Sequence, residues 1–207
     1  MSQFFKIHEE NPQRRLILRL VEIITQGGVI VYPTDSTYAL GCQIGNKIAK
    51  RRIQRIRELD PNHKFTLICP NLSSVATYAK VDNIAYRILR RLTPGPYTFI
   101  LPATSEVPRL LVDPKRKTIG LRVPSNSIAQ ALLSGLEDPL MSVTLSFPDK
   151  ESHLTDPSDI RLELANSVDA IVDGGHCGTF YTTVIDLVGK VPRVVRAGKG
   201  DVTLFEA

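Results

Sequence analysis

A glycine pair feeding a short β-branched run governs what this chain can fold into: Gly27-Gly28-Val29-Ile30-Val31-Tyr32-Pro33. Glycine readily takes the positive φ that ends a helix, and Val29 to Tyr32 is too short and too β-branched to be one. The run reads as a buried strand. Pro33 has no N–H, so ladder pairing should lapse there and leave Thr34, Asp35, Ser36 and Thr37 as a polar turn at the strand's carboxyl end. Open α/β sheets bind small molecules at such ends, and the same residue types build ordinary turns through side-chain to backbone hydrogen bonds. The residues alone are equally consistent with both.

Periodicity supplies the neighbouring elements. Pro12 can open a helix whose face, Leu16, Leu20, Ile23 and Ile24, lasts to Gly27. Asn46 can cap a second helix, Lys47 to Leu59, with Ala49, Ile53 and Ile56 inward. At 100° per residue Lys47, Lys50, Arg51 and Arg55 project from its other side as a solvated basic face, and Arg57 falls on the border. Phe65 to Cys69 reads as a strand, which makes a strand-helix-strand unit. Helices near Ser73 and over Asp82 to Leu92 follow, then strands at Tyr97 to Leu101 and Thr118 to Val123. Asn126 introduces a helix through Leu133, and Pro139 to Ser146 is a strand with hydroxyls alternating on one side. Phe147 to Asp156 reads as a loop, Pro157 to Leu164 as a helix and Ala170 to Asp173 as a strand. Thr183 to Val188 and Val191 to Arg196, split by Gly189-Lys190, predict a hairpin with a two-residue turn.

This pattern implies one α/β domain built on a mixed sheet, and 43% hydrophobic content over 207 residues is ample for its core. Cys42, Cys69 and Cys177 are far apart and show no C-x-x-C spacing, so neither a disulfide framework nor a thiolate zinc site is indicated. Buried, reduced thiols in a cytoplasmic protein are expected. Met1 to Asn11 is mixed and polar, unlike a secretory signal, and no apolar run approaches membrane-spanning length.

Among chemical candidates, His176-Cys177 offers a nucleophile beside a base, but adjacent strand residues point to opposite faces. Asp35, Asp173 and Asp186 are isolated aspartates that suit turns and caps better than a hard-metal cage. Neither a P-loop nor a dinucleotide glycine motif is present, so any phosphate must be held another way. Arg122 and Arg196, at strand ends, suit an anion through the guanidinium fork and suit surface ion pairs equally well. Twenty-six Lys and Arg against twenty-one Asp and Glu give a formal charge of +5, clustered enough to suggest an anionic partner.

Taken together, the motifs resemble those of the threonylcarbamoyl-AMP synthase family, the YrdC-like domain, and most closely its YciO-type branch. The likeness spans nearly the whole chain. It rests on Tyr32-Pro33-Thr34-Asp35-Ser36-Thr37-Tyr38-Ala39-Leu40-Gly41, Pro94-Gly95-Pro96-Tyr97-Thr98, Gly120-Leu121-Arg122-Val123-Pro124, Thr182-Thr183-Val184-Ile185-Asp186-Leu187 and Val195-Arg196-Ala197-Gly198. The resemblance implies a YrdC/RibB-like fold, a single α/β domain over 1–207 with its core at about 14–200. Its twisted open mixed β-sheet would carry flanking helices and a basic concave surface, with no second domain expected. The family joins L-threonine, bicarbonate and ATP, the last with Mg²⁺, into threonylcarbamoyl-AMP and pyrophosphate, for modification of an adenosine beside the tRNA anticodon. No tightly bound cofactor is expected.

By the same resemblance Thr34 and Tyr38 lie in the substrate-binding turn, Arg122 is the family arginine, Thr182 a threonine-contacting hydroxyl and Arg196 a nucleotide-side cation. The family's Lys-x-Arg falls on Arg57-Glu58-Leu59, where one cation is missing. Its Ser-x-Asn falls on Thr144-Leu145-Ser146, which loses the amide. Altered motifs point to an RNA-binding member with a nucleotide-sized pocket. Double-stranded RNA or tRNA would meet Lys47, Lys50, Arg51, Arg55, Arg87, Arg90, Arg91, Lys115, Arg116 and Lys117 through its phosphates. The alternatives are an active synthase or a hydrolase of threonylcarbamoyl products, for which no residue identifies the base.

Overall fold

A computed structural model describes residues 1–147 and 154–205 of the chain. Helix α1 (Arg14–Thr25) ends at Gly27, whose φ is +88°, and hands over to β2 (Ile30–Tyr32), buried along its length. Pairing lapses at Pro33, and the chain then returns antiparallel to β2 as β3 (Ala39–Gln43). The expected strand-helix-strand unit is therefore a hairpin followed by a helix. The polar turn is the hairpin's loop, because the small residues Ala39 and Gly41 let β3 pack against Tyr32 and Ile30.

Asn46 caps α2 (Lys47–Ile56), its side chain accepting from the N–H groups of Ile48 and Ala49. That helix stops short of Leu59 because Glu58 takes a φ of +51°, which closes the last turn. The remaining elements are β4 (Thr66–Ile68), α3 (Leu72–Tyr78), α4 (Asn83–Leu92), β5 (Tyr97–Pro102), β6 (Thr118–Arg122), α5 (Ser127–Ser134), β7 (Leu140–Thr144), α6 (Pro157–Leu164), β8 (Ala170–Asp173), β9 (Thr183–Asp186) and β10 (Arg193–Arg196). Asn71, Asp82, Asn126 and Asp156 cap α3, α4, α5 and α6 by accepting first-turn N–H groups. Besides β3, a second strand was not foreseen: β1 (Gln3–Lys6) pairs in parallel with β8, so the sheet begins within the polar N-terminal segment, ahead of residue 14. Of the loop expected over Phe147 to Asp156, residues 148–153 lie outside the described residues.

Among the described residues ten strands form one open mixed sheet, in the order β1-β8-β2-β3-β7-β4-β6-β5-β9-β10. The hairpin of β9 and β10 is present, but its connection is 187–192 rather than two residues. Pro192 cannot donate to the ladder, and Asp186 turns the chain by accepting from the N–H of Val188 at 3.0 Å. Among the described residues, no helix is long and apolar enough to cross a membrane. Cys42 and Cys69 are buried, Cys177 is half-buried, and all three thiols are free.

The two faces of the sheet are covered unequally, and this positions the cavity. On one face a large apolar cluster joins α2, α3, α4 and α6 to residues such as Leu67, Phe99, Leu121, Met141 and Ile185. On the other, α1 and α5 pack against Phe5, Ile30, Tyr32, Ala39, Ala170 and Val172, with Ile68 and Leu140 at the margin; no residue of β5, β6 or β9 belongs to that cluster. Side chains alternate along a strand, so the residues between the apolar ones point to this second face. They are Thr66, Thr98, Gly120, Arg122, Ser142, Thr144, Thr182 and Val184, and all of them line a cavity.

A basic cavity on the open half of the sheet

The cavity measures about 490 Å³, within the size range of small-molecule sites. Among the described residues five basic side chains line it, Arg57, Lys64, Arg116, Arg122 and Arg196, against one carboxylate, Asp113. Lys64 reaches Asp113 at 3.1 Å. That carboxylate also accepts the backbone N–H groups of Lys115 and Arg116, and these contacts, that of Arg116 foremost, hold its pKa down at about 2. Arg116 pairs with Asp186 at 2.6 Å.

Arg122, at the end of β6, is buried against Asp35 of the β2-β3 loop, with side chains 7% and 10% exposed. Asp35 also accepts the N–H and hydroxyl of Ser125 at 3.2 and 3.0 Å, and the Nζ of Lys199 donates to its carbonyl oxygen. The guanidinium reaches the Thr34 hydroxyl at 3.3 Å, while its Nε is buried without a partner among the described residues. Thr34 also holds its own loop, donating to the Thr37 carbonyl at 2.6 Å and accepting the N–H groups of Ser36 and Thr37. The ambiguous turn is thus an ordered Thr turn and a cavity wall at once.

Arg57 and Arg196 differ from the other cations. Arg57 is buried just past α2 and donates from Nε to the Thr144 carbonyl at 2.7 Å. Burial lowers its pKa. Arg196, on the exposed edge strand β10, donates to the carbonyl and hydroxyl of Thr182, and its guanidinium lies 4.9 Å from the ring centre of Tyr181. Neither has a carboxylate partner among the described residues. The Thr182 hydroxyl is shared with Thr98 at 2.9 Å, and Tyr32, its pKa raised to about 12 mainly by burial, is bonded to Ser142 at 2.8 Å.

Seven of the eight positions taken from the motifs, Thr34, Arg57, Arg122, Thr144, Ser146, Thr182 and Arg196, line this one cavity. Tyr38 is not among the lining residues. It is fully buried, and its hydroxyl donates to the Gly175 carbonyl at 2.7 Å and accepts the Gly174 N–H at 3.2 Å, tying the hairpin loop to the end of β8. Among the basic candidates, Lys47, Arg51, Arg55, Arg87, Arg90, Arg91, Lys115 and Lys117 are exposed. Lys50 is not on a solvated face: its Nζ donates to the Leu110 carbonyl at 2.9 Å and lies over the Phe65 ring, and burial lowers its pKa. Arg116 belongs to the cavity wall as well as to its basic turn.

His176 and Cys177 serve different partners, Asp156 at 3.0 Å and the Thr34 carbonyl at 3.7 Å. Asp173 accepts the N–H of Gly175, as a turn residue does. Sequence reasoning missed Thr66, Thr98, Thr118, His63 and Lys64 as cavity residues. The period-two alternation of hydroxyl and apolar residues in β4, β5 and β6 was the available signal for the three threonines.

The Sua5/YciO/YrdC family model, described as telomere recombination, matches residues 22–198. The chain is 57% identical over 205 residues to the Escherichia coli K12 protein YciO, covering 99% of this chain and all of that one. The crystal structure of E. coli YciO superposes with a TM-score of 0.94 at 56% identity, over 99% of this chain and 100% of its own. A threonylcarbamoyl-AMP synthase of Coxiella burnetii is 30% identical over 177 residues, 84% of this chain and 94% of its own. The crystal structure of P. abyssi Sua5 complexed with L-threonine shares the fold, with a TM-score of 0.86 at 24% identity over 95% of this chain and 58% of that one.

Proposed function

This chain belongs to the Sua5/YciO/YrdC family, and from that premise we propose that its cavity binds a nucleotide together with a carboxylate-bearing amino acid, for chemistry of the threonylcarbamoyl-AMP class. The observation that carries this reading is the pair Arg57 and Arg196, two guanidiniums in one cavity with no carboxylate partner among the described residues. Charge of that kind suits a phosphate chain. The synthase of C. burnetii and the threonine complex of Sua5 support the choice of ligands. Leu59 packs against the apolar cluster, so the motif's second cation is absent there, and Lys64, which also lines the wall, is held by Asp113 at 3.1 Å. Asp113 is already engaged by Lys64 and backbone N–H groups, so Mg²⁺ would be carried by the triphosphate rather than by the protein.

Titrating ATP into the protein calorimetrically, with and without L-threonine and bicarbonate, while assaying pyrophosphate in the same samples, tests the reading. Binding heat that grows with threonine, and pyrophosphate release that needs both co-substrates, are expected. Folded protein giving neither heat nor pyrophosphate would overturn it.

A second reading, an RNA partner, is favoured by Arg116, which joins the cavity wall to the exposed Lys115 and Lys117. A duplex or tRNA gripped there would feed a nucleotide toward the cavity. Log affinity for double-stranded RNA should then fall linearly with log salt, and Lys115→Ala with Lys117→Ala should flatten the slope by nearly 1 per lost phosphate contact, that is by roughly 2. An unchanged slope in the double variant would remove this turn from the RNA surface.

A further inference from the structure

His63 lines the cavity from the loop between α2 and β4, and it has no place in the motifs. Its backbone N–H donates to the Asp60 carbonyl at 2.8 Å, so the loop is closed on itself. Its ring stands edge-on to the buried Phe65, with centroids 6.2 Å apart and planes at 83°. Neither ring nitrogen has a hydrogen-bond partner among the described residues. A half-buried imidazole held by an aromatic edge and left unbonded is available to a ligand.

The charges around it are mostly positive. Arg57 and Asp60 act on it from its own side, and Lys64, Asp113 and Arg116 line the same cavity. Burial first, and then Arg57, push its pKa below the ordinary histidine value, and Asp60 opposes them without prevailing. At neutral pH the ring is therefore unprotonated, the form that accepts a proton.

We propose that His63 is the proton acceptor of this cavity, taking the proton that a bound amino acid's ammonium group gives up when its nitrogen attacks the carbon of bicarbonate. This rests on the ligand class inferred above. The ammonium N–H bond breaks and the proton passes to the imidazole. The freed lone pair forms the N–C bond, and the bicarbonate hydroxyl leaves with a second ammonium proton as water, so ammonium, bicarbonate and imidazole become carbamate, water and imidazolium. The carbamate oxygen then attacks the α-phosphorus of ATP, and the bond to pyrophosphate breaks. A base placed in this way is typically worth about 10²- to 10⁴-fold in rate.

The test compares the wild type with His63→Gln in threonine- and bicarbonate-dependent pyrophosphate release from pH 5 to 9, with calorimetry of ATP and L-threonine on both. The wild-type rate should be level at neutral pH and fall only below about 6.5, as a base that must be unprotonated requires. His63→Gln should bind both ligands within about twofold of wild type and turn over at least about 100-fold more slowly at pH 7. Its rate should climb through neutral pH, and added imidazole should restore activity to His63→Ala. An active wild type matched by His63→Gln in rate and profile would overturn the role of His63 alone. A wild type that binds both ligands but releases no pyrophosphate would overturn the synthesis and His63's part in it together.

Discussion

Asp35→Ala should cost this fold about 3–5 kcal/mol, because it removes one partner of a buried ion pair and leaves the other charge in place. The Arg122 side chain is 7% exposed, and its Nε already lacks a hydrogen-bond partner among the described residues, so little else there satisfies the guanidinium. The same carboxylate accepts the N–H and hydroxyl of Ser125, so its loss also frees the segment leading into α5. Urea denaturation of wild type and variant measures the cost. Adding Arg122→Met to Asp35→Ala should recover most of it, since two apolar groups leave no charge stranded. A midpoint for Asp35→Ala equal to the wild type's would show that water satisfies Arg122 and that the pair contributes little.

Arg57→Ala and Arg196→Ala should each weaken ATP binding, by between about 10- and 150-fold. That range corresponds to the roughly 1.5–3 kcal/mol of a hydrogen bond to a charged group. Arg57, 7% exposed, belongs at the upper end, where water screens the phosphate contact least. Arg196 stands on an exposed edge strand and belongs at the lower end. Burial lowers the Arg57 pKa, but a guanidinium is so strong a base that it keeps its charge in such a setting. Arg57→Lys should fall between wild type and alanine, keeping the charge and losing the fork. Calorimetric titration reads all four proteins, and affinity left unchanged by both alanine variants would place the nucleotide elsewhere.

The hairpin of β2 and β3 illustrates how far local pattern carries. Gly27, the β-branched run and the break at Pro33 were all legible, because each depends on backbone preferences of a few residues. The return strand was not, because Ala39-Leu40-Gly41-Cys42 carries little strand propensity and is held on its other side by β7, which is far away in the chain. Most of the buried helix faces were plain from spacing, although in α1 Ile17, not named in that face, is buried while Leu16 and Ile23 are only partly covered; Asn46, Asp82 and Asn126 announced their caps. Lys50 went the other way: helical periodicity placed it outward, while the Leu110 carbonyl and the Phe65 ring drew its long side chain inward. Tyr38, placed in the substrate turn by its motif, is instead a buried tie between Gly174 and Gly175.

By itself, then, the sequence determined the α/β class, most of the helices and strands, the family, and the residue types that an anionic ligand would need. These follow from periodicity, capping and turn chemistry, which act over a few residues at a time. Only the tertiary structure decided that Arg57, Arg122, Thr144, Thr182 and Arg196 meet in one cavity, that Tyr38 stays outside it, and that His63 and Lys64 join it. The physical reason is the unequal covering of the sheet. Helices α1 and α5 bury one end of a face, and the uncovered strands are left to present every second side chain to a common space. Alternation tells which residues share a strand face, but which faces go uncovered depends on the packing of elements far apart in the chain.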